Sequence, residues 1–235
     1  MQKSITFRIF LSIIFLSFFS NQLISQTKTS GGEGYFMVGM QMMDIKDLNS
    51  ILQVHNYPTL DKYYTAIGGG GYGFVNNYVI GGEGFGLIGN EVSNQNYKLN
   101  LSAGYGMFNV GYVIYNQNGL KLFPVVGLGA GGINLTIYEK SNLDFSDIMN
   151  NPKRGSSLSL GGLMFNLGVN GSFTLNLNDN ENTGGLLIGL STGYTYFLKL
   201  GDWTLFENEI SGGPKIGISG FYLRFMIGGG GNTKN

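Results

Sequence analysis

The sequence contains no cysteine. That absence excludes disulfides, thiol chemistry and a lipid-anchored lipoprotein, whose anchor is attached to a cysteine. Charge is scarce as well: 12% of residues are Asp, Glu, Lys or Arg, about half the share of an ordinary soluble domain, roughly 25%. Histidine occurs once, at His55, so a multi-histidine metal site cannot be built and no metal or cofactor is implied. Beyond the first residues there is no apolar run that would cross a membrane as a helix, which needs about 20 apolar residues.

At the start, Lys3 and Arg8 precede an uncharged run of Ile, Leu and Phe over 9–19, followed by Ser20, Asn21, Ser25 and Gln26. A positive start, a short apolar middle and a small, polar exit predict a secretory signal peptide over residues 1–25, cleaved near Ser25. The remaining domain, 26–235, loses Lys3 and Arg8 and keeps 12 basic against 14 acidic residues, a net charge near −2. It carries no electrostatic footprint for nucleic acid.

What the chain has in quantity is glycine, 40 residues, and Tyr plus Phe, 31 residues. These sit in segments of period-two alternation. Over 163–177 the odd positions are Leu163, Phe165, Leu167, Val169, Gly171, Phe173, Leu175 and Leu177. The even positions are polar or small, apart from Met164. This is the periodicity of a strand with one greasy face. Over 185–199, Leu186, Ile188, Leu190, Tyr194, Tyr196 and Leu198 face one way, while Gly189, Ser191, Gly193 and Thr195 face the other.

Eight strands follow from this pattern, at 34–43, 62–74, 77–88, 97–115, 120–138, 159–177, 185–199 and 216–227. In three of them the apolar positions change parity, after Met107, at Gly131-Gly132 and at Gly220. The parity changes predict bulges or kinks, which are cheap at glycine and help a sheet to curl.

The connections alternate in length. Segments 75–76, 116–119 and 178–184 are short and carry turn residues: Asn76-Asn77, Asn118-Gly119 and Asp179-Asn180. Segments 44–61, 89–96, 139–158 and 200–215 are mostly longer and hold most of the charge. The first long loop predicts a short helix capped by Asp44, with Ile45, Leu48, Ile51 and Leu52 on one face and Asn56 and Pro58 ending it.

Several motifs invite chemistry and fail on context. G-x-G-x-x-G occurs at 68–73, 84–89 and 127–132, but a dinucleotide site needs a helix next, and 133–138 is a strand. G-x-S-x-G at 189–193 needs a strand-to-helix turn and a later histidine; Ser191 sits mid-strand and His55 lies upstream. His55 with Ser93 and Glu91 in the next long loop is the weak catalytic candidate, by general-base chemistry. Inside the strands, Arg224 alternates with outward Leu223 and Phe225 and is expected to point inward, and Glu83, set among glycines, is expected to do the same. A small barrel fills its lumen with side chains, and a charge there requires a partner. A Glu83–Arg224 contact, joined by Lys121 and Tyr222, is the expected lumen cluster.

A signal peptide, eight amphipathic strands, short inner turns and long outer loops resemble the OmpA/OmpX-type bacterial outer-membrane barrels, and the Gly- and Asn-rich style is similar to small barrels of Bacteroidetes. The resemblance implies an all-β, eight-stranded antiparallel up-and-down transmembrane barrel with both chain ends in the periplasm. Implied partners are outer-membrane lipid, lipopolysaccharide, the barrel-assembly machinery and extracellular or envelope proteins. Implied functions are structural, adhesive or partner-binding. The alternatives are a narrow pore or carrier for small apolar molecules, or a lipid A-modifying acyltransferase or deacylase using His55. One departure concerns the aromatic residue that such barrels present at their end to the assembly machinery. Here 228–231 are glycines and 232–235 are polar, with Phe225 the nearest aromatic.

Overall fold

The computed structural model describes residues 29–140, 145–150, 155–176, 184–205 and 208–234. The expected signal peptide and the Asp179-Asn180 turn lie outside them. Eight long strands form one antiparallel sheet: β1 (Thr29–Met42), β2 (Tyr63–Val75), β3 (Tyr78–Ile88), β4 (Tyr97–Tyr112), β5 (Leu120–Glu139), β6 (Ser156–Asn176), β7 (Gly185–Lys199) and β8 (Gly220–Lys234). Each pairs with its neighbour in sequence, and β8 pairs with β1, so the sheet closes on itself and has no long edge. The fold is the expected eight-stranded antiparallel barrel.

The register defines its slant. Ladder partners run from Arg224 through Ser191 to Asn170 in one direction. In the other they run from Arg224 through Gly39, Ala66, Leu87, Ala103 and Ile133 to Leu160. Both walks end on β6, ten residues apart (160 and 170), so the barrel has a shear of ten. Strand tilt follows from such a stagger.

Two turns are as tight as their residues require. Val75 pairs with Tyr78 across Asn76 and Asn77, both at positive φ (50° and 73°). Gln117 pairs with Leu120 across Asn118 (φ 52°) and Gly119 (φ 81°). Both are two-residue hairpin turns whose left-handed backbone matches the twist of the strands. Asn tolerates that region better than most side chains.

The predicted bulges are absent. The β4–β5 and β5–β6 registers are unbroken across Met107-Phe108 and Gly131-Gly132. Odd residues of β5 point inward and even ones outward along the whole strand. What changes is the surrounding medium. Near the turn end, the outward residues are apolar: Val110, Val126, Leu167, Tyr194 and Phe221 form one lateral row, and Phe108, Leu128, Phe165 and Tyr196 the next. Toward the loop end the outward rows become Ser102–Asn134–Ser159 and Asn100–Thr136–Ser157. There the inward residues turn apolar instead, with Leu99, Leu101, Ile133, Leu135 and Leu160 all buried. One unbroken strand therefore shows its greasy face first to the outside and then to the inside.

The last strand also differs from its predicted range, 216–227. Ile216 and Ile218 are buried against the loop-end core but precede the strand, which starts at Gly220 and runs to Lys234. Glycines 228–231 are paired residues, matched to Tyr35, Gly34, Glu33 and Gly32. Gly220 itself is required by close approach, since a Cβ there would lie 2.6 Å from the Met42 carbonyl oxygen.

Over the loop end lies α1 (Lys46–Val54), in the first long loop as predicted. Its N-cap is Ile45 without a side-chain bond; the expected cap, Asp44, is drawn instead into a backbone bridge with Gly217. Ile45, Leu48 and Leu52 are buried, and Ile51 stays exposed. Asn49 clasps the returning chain, its Nδ2 donating to Leu60 O and its Oδ1 accepting from Leu60 N, both at 2.9 Å. A second, six-residue helix, α2 (Phe145–Asn150), sits in the third long loop. The fourth long loop carries a small hairpin, Trp203–Leu205 with Asn208–Ile210, that extends the sheet from β6.

Candidate functional site: a filled lumen and a polar loop end

A closed barrel with apolar side chains outside is a membrane-spanning barrel, because no backbone group is left unpaired in lipid. The belt has the right height. On β7 it runs over residues 186–198, roughly 40 Å of strand at about 3.3 Å per residue. At a tilt of about 40° that is on the order of 30 Å, the thickness of a hydrocarbon core. Eight-stranded barrels of this kind reside in bacterial outer membranes. Near the turn end, Tyr78 and Tyr112 pack edge to face at 5.5 Å, as members of an interfacial aromatic girdle do.

The four residues expected in the lumen, Glu83, Arg224, Lys121 and Tyr222, are all buried there. Their partners differ from the prediction. Glu83 accepts from Tyr35 Oη and Tyr72 Oη at 3.0 Å and from Asn109 Nδ2 at 3.3 Å. Arg224 donates to Gln41 Oε1 at 2.7 Å and to the Tyr105 hydroxyl. The direct Glu83–Arg224 contact is not made. Along the ladder, Glu83 reaches β1 at Tyr35 and Arg224 reaches it at Gly39. The two side chains thus start four residues, about 13 Å, apart along the strand.

Lys121 binds Glu33 rather than Glu83, with Nζ 2.5 Å from Oε1 and both side chains almost wholly buried. Its ammonium also lies 3.9 Å from the centroid of the Phe74 ring. Ser172 donates to the same carboxylate at 3.2 Å. Tyr222 does join Arg224, by stacking: the guanidinium lies 3.8 Å from its ring and 3.7 Å from that of Phe85. The Tyr222 hydroxyl donates to Asn166 Oδ1 at 3.0 Å, and Asn166 donates on to Asn109 at 3.3 Å. Gly168 and Gly193 make room for that hydroxyl, because a Cβ on either would collide with it.

The lumen is therefore two layers. The lower holds the polar network, with two positive and two negative side chains, set among buried Phe74, Phe123 and Leu187. The upper is an apolar plug, continued by Leu48 and Leu52 of α1 and by Trp203, whose Nε1 donates to Pro214 O at 3.1 Å. Neither layer resembles an open channel.

Sequence reasoning missed Glu33, Gln41 and Asn109. Glu33 and Gln41 fall at odd positions with Tyr35 and Met37, so the inward parity of β1 was the available signal. It was obscured by the neighbouring glycines.

The weak catalytic candidates do not form a constellation. His55 is exposed at the end of α1, Ser93 is exposed in the short strand Val92–Ser93, and Glu91 is engaged with Lys98 at 2.7 Å. The two loops do touch, through Asn94 Nδ2 donating to Asn56 O at 2.9 Å. Among the described residues no hydrogen bond joins His55 to Ser93 or Glu91, and no group of three or more metal-ligating side chains occurs. Ser191 is buried in the middle of β7, where a nucleophile elbow cannot form.

On the outer wall, where the belt gives way to the polar rows, a shallow groove of about 380 Å³ is lined by the side chains of Ser102, Asn134 and Ser159, by the aliphatic Ala103, Ile133 and Leu160, and by three glycines. No charged side chain lines it.

No family model matches the sequence, and no curated protein matches it. Among solved structures, Ail, the attachment invasion locus protein of Yersinia pestis, is similar over 88% of this chain and 99% of its own, at 14% identity and a TM-score of 0.38. The outer membrane protease OmpT of Escherichia coli is similar over 91% of this chain and 99% of its own, at 10% identity and a TM-score of 0.35. Likenesses this distant leave the fold resting on the strand register described above.

Proposed function

We propose that this outer-membrane barrel is non-enzymatic and works through its loop end, as an adhesive or partner-binding surface on the cell exterior. The observation that supports the reading is the division of the molecule at the belt. Below it the barrel is an anchor with a filled lumen. Above it, β4, β5 and β6 continue as a sheet whose outer wall is polar, with residues 98–102 of β4 alone spanning about 13 Å. Strands that only anchored a protein would end at the lipid boundary. Long loops on the exterior side of such barrels fit this orientation. The uncharged groove at the boundary, where the Ser102 and Ser159 hydroxyls and the Asn134 amide stand among glycine and aliphatic residues, suits the sugar portion of outer-leaflet lipopolysaccharide, which would steady the projecting wall.

The test is a deletion strain complemented with two forms: the intact chain, and one with shortened third and fourth long loops. Both forms should reach the outer membrane and show the heat-dependent gel shift of a folded barrel. Surface attachment should return only with the intact chain. Equal attachment by both forms would refute the reading. The pore alternative is addressed by planar bilayers, where the plugged lumen should stay silent. The lipid A alternative is addressed by mass spectra of lipid A, which should match with and without the gene.

A further inference from the structure

The outer wall of the barrel is not uniform. On β7 and β8 the outward belt positions are bulky, as at Ile188, Leu190, Leu223 and Phe225. Elsewhere three successive outward rows are nearly bare. The row at the lipid boundary is Gly86, Gly104, Gly132 and Gly161, consecutive ladder partners on β3 to β6. Two residues lower lie Gly69, Gly84, Gly106 and Ala130 on β2 to β5. Below those lie Gly34, Gly71 and Gly82 on β1 to β3. Ile67 and Phe36 stand along one margin of this strip, Leu163 and Phe108 along the other.

The barrel itself does not call for most of these glycines. A Cβ at Gly84, Gly86, Gly106 or Gly132 would come no nearer than 3.7 Å to any neighbour, and at Gly34 or Gly161 it would meet nothing within 4 Å. At Gly69 and Gly71 the adjoining strand does stand close, at 2.6 and 2.8 Å. Inward Gly129 is the contrasting case, lying so near the Gly106 carbonyl that no side chain fits. Glycine weakens a strand interior and often marks a bulge, a bend or the close approach of a ligand or another backbone. The register across these rows is unbroken, which leaves the last.

The strip also has a direction. A ladder row followed from β6 through β8 and β1 back to β6 climbs from Asn170 to Leu160, toward the loop end. Each lower row lies two residues down the strands, about 6.6 Å, and its margin one strand back toward β1, about 4.8 Å. At a tilt of about 40° the two displacements add along the barrel axis, to roughly 8 Å per row, and nearly cancel across it. The three rows thus follow the membrane normal over about 16 Å, one leaflet of a core about 30 Å thick. At the upper end the strip opens into the groove, where Ser102, Asn134 and Ser159 stand two residues above the boundary glycines.

We infer that strip and groove form one docking slot for a glycolipid of the outer leaflet, with acyl chains laid on the glycine rows and sugar hydroxyls bonded to Ser102, Asn134 and Ser159. The slot is about four strands, roughly 19 Å, wide, room for several chains side by side, as lipopolysaccharide carries. A second barrel fits less well, since two convex walls meet along a line and leave this width unfilled. The inference rests on the exterior reading of the loop end and assigns the lipid that its groove holds.

The test uses the full chain in nanodiscs of phosphatidylcholine with a minor share of rough lipopolysaccharide, extracted in mild detergent and weighed by native mass spectrometry. The parent should retain lipopolysaccharide, and severalfold less phosphatidylglycerol when that lipid takes its place. The triple variant Gly84→Leu, Gly106→Leu, Gly132→Leu fills the slot from within and should retain severalfold less lipopolysaccharide while keeping the heat-dependent gel shift. Should it not fold, Gly132→Leu alone decides. Undiminished retention in the filled variant, equal retention of the two lipids, or a protein dimer in place of bound lipid would overturn the inference. No cell surface enters this measurement, so it can fail while the attachment test succeeds, and the reverse.

Discussion

The buried Glu33–Lys121 pair gives the sharpest energetic prediction. Both side chains are about 98% removed from solvent, and their contact closes at 2.5 Å. Stranding one member of such a pair costs about 3–5 kcal/mol, a large part of a total stability of roughly 5–15 kcal/mol. Lys121→Met keeps the aliphatic stem over Phe74 and removes the charge, leaving the Glu33 carboxylate with Ser172. Glu33→Gln takes the paired carboxylate away from the ammonium in turn. Each single variant should lose about 3 kcal/mol or more. The double variant removes both charges, so its loss should fall short of the sum by about 2 kcal/mol. Urea unfolding in lipid vesicles measures all four proteins. Trp203, the sole tryptophan and buried in the plug, reports through its fluorescence, and the cold gel shift reports barrel closure independently. A single variant within about 0.5 kcal/mol of the parent, or a double variant additive to that margin, would refute the reasoning.

Leu128→Arg should destabilise by about 2–4 kcal/mol in the same assay, and Asn134→Arg by no more than about 1 kcal/mol, because the cost of a lipid-facing charge depends on depth. Tyr222→Phe should cost about 1 kcal/mol for the lost bond to Asn166. Gly168→Ala should cost more, about 1–3 kcal/mol, since its Cβ and the Tyr222 hydroxyl claim the same space. Intact-mass spectrometry of protein purified from the outer membrane should find a chain beginning near Gln26. A mass that retains residues 1–25 would refute the signal peptide.

Most of the barrel was legible because alternation and turn residues agree locally. The strand over 163–177, the Asn76-Asn77 and Asn118-Gly119 turns and the helix in the first long loop all follow from neighbours in sequence. The parity changes after Met107 and at Gly131-Gly132 misled because a period-two pattern reports which face is apolar and not which medium that face meets. A strand that leaves the membrane exchanges its greasy face from lipid to core without bending, and so looks like a bulged strand. The lumen contacts were less legible for a different reason. That Glu83 and Arg224 point inward is local information, whereas the stagger of ten residues that keeps them apart, and brings Lys121 to Glu33, is a property of the closed sheet. Asp44 illustrates the same limit at small scale: its capping chemistry was plausible, but the bridge to Gly217 took its backbone.

The exchange of greasy faces marks the lipid boundary on an unbroken barrel. Spin labels placed singly at outward positions test it, by comparing collisions with oxygen, which concentrates in lipid, and with a water-soluble nickel chelate. Labels at 108, 110, 126, 128, 165 and 167 should favour oxygen, and those at 100, 102, 134, 136, 157 and 159 the chelate, with the crossover at the row of Gly104, Gly132 and Gly161. Equal exposure of both sets to the chelate would contradict it.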